Sequence, residues 1–200
     1  MTTTSAAASR YSTVAVILHW LIALAIIGLL VAGFVMGDLL HSDNPADKQL
    51  GFKIIQLHKS LGLTVLVLTL VRLAWRIGHK PPALPASMKP WERKLSVGTH
   101  HLFYLLMLGL PLSGWALVST SSLGLPTMWF DLFAWPNIGF LADMAADARK
   151  AVHESLEEAH ELLAFAIIGL LILHVAAALK HHLIDRDDVM ARMVPWLRGR

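Results

Sequence analysis

The sequence predicts an all-α membrane protein, a four-transmembrane-helix bundle with both termini cytoplasmic. Three observations predict it. Of 200 residues, 56% are hydrophobic and only 16% are charged, where soluble domains carry about 25% charged residues. Four apolar runs, at roughly 14–36, 54–75, 100–120 and 160–182, are each long enough to cross a hydrocarbon core of about 30 Å. Lys and Arg are also distributed unevenly among the segments that join them. The whole chain, 1–200, reads as a single membrane domain, and the tract before Arg10 is expected to be disordered.

The first run, Val14 to Met36, is too long for the apolar stretch of a signal peptide and holds His19, so an uncleaved span is expected. The second, Ile54 to Trp75, carries Lys59 and Arg72 near opposite ends, where long side chains reach the interface. In the third, His100 to Thr120, Pro111 is expected to kink a helix whose neighbours absorb the break. The fourth runs from His160 to His182 and turns polar at both ends. None alternates as a strand does, and all exceed strand length.

Four spans put Arg10, Arg76, Lys80, Lys89, Arg93, Lys94, Lys180, Arg186, Arg192, Arg198 and Arg200 on one side. The other side keeps only Lys48, Lys53, Arg149 and Lys150. The positive-inside rule counts Lys and Arg alone, so the first side is cytoplasmic. The outer segment 121–147 contains WFDLFAW, residues 129–135. An interfacial aromatic belt is the favoured reading there, and a lid over an outer site the rival one. The chain has no cysteine, which excludes disulfides, thiolate-bound zinc, iron–sulfur clusters and thioether-linked haem. No nucleic-acid partner is expected; membrane lipid is.

Histidine carries the chemistry. Ionisable side chains inside spans are rare and face the bundle interior. His160 and His174 are fourteen residues apart, which at roughly 100° per residue returns within about 40° of one direction after a rise of about 21 Å. His19, a few residues inside the cytoplasmic end of the first span, matches the depth of His174. His58, near the outer end of the second, matches His160. Two depth-matched imidazole pairs suit two planar macrocycles, each held from both faces. Hydrogen bonding across helix contacts, or a proton relay, is the rival reading of the same residues. A relay wants acidic partners, and no Asp or Glu lies in the middle of a span; zinc wants three or four ligands at one level. Gly62, one turn deeper than His58, either makes room for a porphyrin or marks ordinary close packing. His100, His181, Arg72 and Arg76 form a candidate cytoplasmic corner for a quinone headgroup or haem propionates. His41 and His79 are read as solvated loop residues, and His153 is unassigned.

YSTVAVILHW, LHKSLGLTVLVLTLVRLAWR, HHLFYLLMLGLPLSGW and HELLAFAIIGLLILHVAAALKHH, followed by RMVPW, resemble the bacterial cytochrome b561 family over roughly residues 10–197. The resemblance implies a multi-pass bundle of the bacterial inner (cytoplasmic) membrane with two b-type haems. Carried onto this chain, it implies His19 and His174 for the cytoplasmic haem iron, and His58 and His160 for the periplasmic one. It further implies electron exchange with ubiquinone and, as an oxidoreductase activity, superoxide oxidation at the periplasmic face. DMAADARKAVHESLEEAH, leading into the fourth helix, departs from the family pattern and weighs against the superoxide role. Lys53 and Lys59 would attract that anion. Two other readings stand beside this one: an anchor subunit relaying electrons from a hydrogenase or dehydrogenase partner, and a haem-free helical scaffold or transporter.

Overall fold

The computed structural model describes residues 10–194 and 197. The stretch expected to be disordered, 1–9, lies outside them, as do Pro195, Trp196, Arg198 and Arg200. Four long helices are each long and apolar enough to cross a membrane: α1 (Thr13–His41), α2 (Pro45–Gly78), α3 (Pro90–Ser119) and, after a β-hairpin and a short helix, α5 (Ala146–Lys180).

Each helix begins and ends for a local reason. Ser12 caps α1 by accepting from the Ala15 amide at 3.3 Å, and Asn44 caps α2 through the Ala46 amide at 3.0 Å. Pro45 and Pro90 occupy first turns, where a missing N–H costs nothing. At the start of α3, Glu92 accepts from the Lys89 amide at 3.1 Å and also takes Lys180 Nζ at 2.6 Å. That ion pair ties the first turn of α3 to the last turn of α5. α5 then passes into a π-helical turn, His181–Asp185, and Arg186 leaves it in the left-handed region at φ 54°. α3 runs unbroken through Pro111. The helices extend beyond the apolar runs: α3 starts ten residues before His100, so His100 lies well inside the bundle instead of at a helix start.

α1 packs along α2, α2 meets α3, and α3 packs along α5, whereas α5 stands off from α1 and α2. Between the two imidazole levels lies a dry layer of Ile22, Val65, Leu106, Met107, Ile167 and Leu170, all buried. Ile167 falls midway between His160 and His174 and is 1% exposed. The outward faces are the reverse: Leu24, Leu105, Leu162 and Leu173 are more than 60% exposed, which suits lipid and not water.

The segment expected to lie outside has a defined fold that keeps Leu132, Phe133 and Phe140 exposed, as an interfacial aromatic belt would. It folds into an antiparallel hairpin, β1 (Thr127–Trp129) and β2 (Phe133–Trp135), followed by α4 (Gly139–Ala142). Ser60 on α2, 1% exposed, holds it: its hydroxyl meets the Met128 carbonyl at 2.9 Å and accepts from the Phe130 amide at 3.0 Å. Trp129 Nε1 donates to Thr64 Oγ1 at 3.1 Å. On the α3 side, the Ile138 amide donates to Ser119 Oγ at 2.9 Å, and Trp115 Nε1 to the Pro136 carbonyl at 2.8 Å. Phe130 and Asp131 sit at φ 46° and 58°, uncommon for a bulky residue such as Phe. The bond from Phe130 to Ser60 holds that conformation in place.

Candidate haem sites

The stand-off of α5 from α1 and α2 leaves an interior that imidazoles cross at two levels. At the outer level, His58 of α2 faces His160 of α5 with ring centroids 6.3 Å apart. At the inner level, His19 of α1 faces His174 of α5 at 6.2 Å. A metal–imidazole bond of about 2.0 Å, with the nitrogen ~1.1 Å from its ring centre, separates two rings on opposite faces of one metal by ~6.2 Å. Both couples meet that spacing. The ring planes cross at 65° and 67°, and axial ligation sets no fixed angle between them.

The surroundings also fit a flat group. A Cβ on Gly62 would meet no atom within 4 Å, so the space one turn from His58 is open. Two further glycines, unmarked by the sequence reading, touch the outer imidazoles. A Cβ on Gly33 would lie 3.8 Å from His58 Cε1, and one on Gly114 only 3.2 Å from His160 Cε1. Small residues are common in membrane helices; only the packing shows which ones border a histidine. His160 Nδ1 lies 2.9 Å from Ser113 Oγ. His58 Nδ1 is buried and faces the Leu29 carbonyl, as His160 faces that of Leu110, but no hydroxyl reaches it.

The inner level holds a third imidazole. His100 lies 6.2 Å from His174, centroid to centroid, as close as His19 does. Phe103 packs edge-on against His174 at 5.2 Å. His174 therefore has two possible partners by distance alone, and α1 and α3 each supply one.

The four residues of the expected cytoplasmic corner do not all meet. Arg72 and Arg76 line a cavity of about 340 Å³ between the start of α1 and the end of α2, together with Arg10, Lys80, Tyr11 and Tyr104. Among the described residues, no carboxylate lines it. Arg72 donates to the Ala15 carbonyl at 2.9 Å, one turn before His19, and Arg76 lies over the Tyr104 ring at 5.8 Å. His100 borders His174 and lies within electrostatic reach of both Arg76 and Arg72. His181 is turned away to Asp187 at 2.7 Å and Asp185 at 3.1 Å.

Of the remaining histidines, His153 Nδ1 meets Thr120 Oγ1 at 3.0 Å. His79 stacks on Trp75 at 3.8 Å. His41 is the last residue of α1, not a loop residue, and bonds the Gly37 carbonyl. On the outer face, Lys53 lines a second cavity of about 470 Å³ with Gln56, Ser60 and Asp131.

Comparison with known proteins gives one answer along the whole chain. A family model described as prokaryotic cytochrome b561 matches residues 10–196. The chain is 33% identical over 185 residues to "Cytochrome b561 homolog 2" of Escherichia coli K12, covering 92% of this chain and 91% of that one. It is 28% identical over 197 residues to the "Probable superoxide oxidase CybB" of Yersinia pestis, covering 95% and 98%. It is 30% identical over 190 residues to "Cytochrome b562" of Cereibacter sphaeroides, covering 92% and 94%. Imidazoles paired inside a lipid-facing four-helix bundle are what a haem b electron carrier requires, and the chain belongs to the prokaryotic cytochrome b561 family of membrane cytochromes.

Proposed function

We propose that this protein is a di-haem b-type cytochrome of the bacterial inner membrane that passes electrons between its outer face and ubiquinone near the cytoplasmic face. The observation that carries the reading is the pair of imidazole couples at 6.3 and 6.2 Å, one in each leaflet. His58 and His160 hold the outer haem, His19 and His174 the inner one. When bound there, haem iron supplies a one-electron couple.

The chain's own residues do the rest. The four helices exclude water from both levels and set their separation. The cationic cavity beside Arg72 and Arg76 supplies guanidinium donors for quinone carbonyls or propionates, with His100 on the inner side of His174. Both termini and the segment between α2 and α3 lie in the cytoplasm, which the distribution of Lys and Arg supports. Superoxide is the proposed electron source. The superoxide oxidase name of the Yersinia relative supports it, as do Lys53 and Lys59 on the outer half of α2. Two superoxide anions give up one electron each and leave as dioxygen; one ubiquinone takes both electrons and two cytoplasmic protons.

The test begins with a reduced-minus-oxidised visible spectrum and a haem-to-protein ratio for the purified chain. Sharp reduced b-type bands at two haems per chain are expected, and a colourless protein after growth with ample haem ends the proposal. Superoxide fed to the outer face of proteoliposomes should then reduce incorporated ubiquinone. A haem-replete protein that leaves the quinone oxidised removes superoxide as donor. Phosphatase fusions at the C-terminus should be inactive, and activity there reverses the orientation.

A further inference from the structure

Ser113 makes two contacts that together decide the state of its neighbour. Its Oγ lies 2.9 Å from the Leu110 carbonyl and 2.9 Å from His160 Nδ1. A carbonyl only accepts, so with the hydroxyl hydrogen on Leu110 the Ser113 oxygen is an acceptor, and the same Leu110 carbonyl also faces His160. In that arrangement the Ser113 oxygen has only lone pairs to offer His160, and two acceptors, Ser113 Oγ and the Leu110 carbonyl, favour the Nδ1–H tautomer with the Nε2 lone pair free. Gly114, the next residue, closes against the same ring, since a Cβ there would sit 3.2 Å from Cε1. No equivalent hydroxyl serves His58, which faces only the Leu29 carbonyl.

We propose that Ser113 is the positioning residue of the outer haem site: it selects the His160 tautomer that ligates through Nε2, and it tunes the strength of that ligand. The inference rests on the assignment of His160 as an axial ligand. An imidazole that donates from Nδ1 becomes a stronger base at Nε2, and a stronger axial donor favours the oxidised metal. The outer haem should thus have a lower potential than it would without the hydroxyl.

Potentiometric titration of wild type, Ser113→Ala and Ser113→Thr in detergent tests this. In Ser113→Ala, one of the two haem steps should move upward by about threefold in its redox equilibrium, about 30 mV at 59 mV per decade. The other step should stay in place. Ser113→Thr keeps a hydroxyl and should return the step to its wild-type position. No shift, a downward shift, or a shift that Thr fails to reverse overturns the proposal while two bound haems leave the cytochrome reading intact. Should Ser113→Ala lose one haem outright, retention of both by Ser113→Thr supports the proposal, and loss by both variants overturns it. A wild-type chain without haem overturns both readings.

Discussion

Gly114→Ala is a small change with a large expected consequence. Alanine is favoured over glycine in a helix by up to about 1 kcal/mol, so α3 itself should gain stability. The added methyl, however, would stand 3.2 Å from His160 Cε1 and 3.6 Å from Nδ1. Comfortable carbon contacts lie at about 3.5–4.0 Å. The ring must withdraw by a few tenths of an ångström, and withdrawal stretches its 2.9 Å bond to Ser113. Overpacking of this kind costs roughly 1–3 kcal/mol, which corresponds to a loss of about 5- to 150-fold in affinity at the outer site. The assay is haem content per chain, by haemochrome absorbance against protein, during titration with haem in detergent. One haem should bind as in wild type and the second far more weakly, with helical content and thermal unfolding of the apoprotein unchanged or slightly raised. Gly28→Ala, exposed on α1 with no atom near its new methyl, should leave both haems in place. Two haems bound with wild-type affinity in Gly114→Ala would refute the placement of His160 at the outer site.

Other outcomes follow from the same geometry. His174→Ala should remove one haem and spare the other in a visible redox titration, while His41→Ala, on the exposed end of α1, controls for general destabilisation. Because His19 and His100 are equidistant from His174, haem counts should decide between them: His19→Ala is expected to lose the inner haem and His100→Ala to keep it, and the opposite result reassigns the ligand to α3. Neutralising Lys53 and Lys59 together to Gln should slow superoxide-driven reduction and flatten its salt dependence in stopped-flow traces; unchanged kinetics would count against steering. Ser60→Ala removes the hydroxyl that meets both Met128 and Phe130, leaving the Phe130 amide without its partner. Limited proteolysis should then cut within residues 127–135 faster than in wild type, and equal cleavage would show that the aromatic contacts hold the hairpin alone.

The helices were legible because lipid imposes one pattern, a long apolar run, and each of the four runs falls on one long helix, overrunning the end of α3 by one residue and of α5 by two. Their ends were less legible. α3 begins at Pro90 because Pro90 and Glu92 start a helix there, not because residues 90–99 are apolar, and this carries His100 deeper than hydropathy alone implies. The imidazole levels could be read from the fourteen-residue interval on α5, since helical periodicity turns spacing into direction. Ser113, Gly114 and Gly33 could not, because Ser and Gly occur in many membrane helices and only tertiary packing shows which face a histidine. The hairpin escaped for a similar reason. WFDLFAW has no alternation to mark strands, and its conformation depends on Ser60, some seventy residues earlier. Of the four residues grouped as one corner, Arg72, Arg76 and His100 lie within reach of one another, and His181 alone turns away to a His–Asp contact. Basic and polar residues at similar depth need not share a side of the bundle.

The layer around Ile167 bears on energy conversion. Its six side chains offer no site for a proton, so under the proposed function an electron crossing from the outer imidazoles to the inner ones would travel without a compensating positive charge. Such transfer would be electrogenic. With the cytoplasm negative, each electron driven inward works against the membrane voltage, at about 2.3 kcal/mol per 100 mV for the full thickness. An energised cell would therefore slow reduction of quinone from the outer face, and a collapsed voltage would release it.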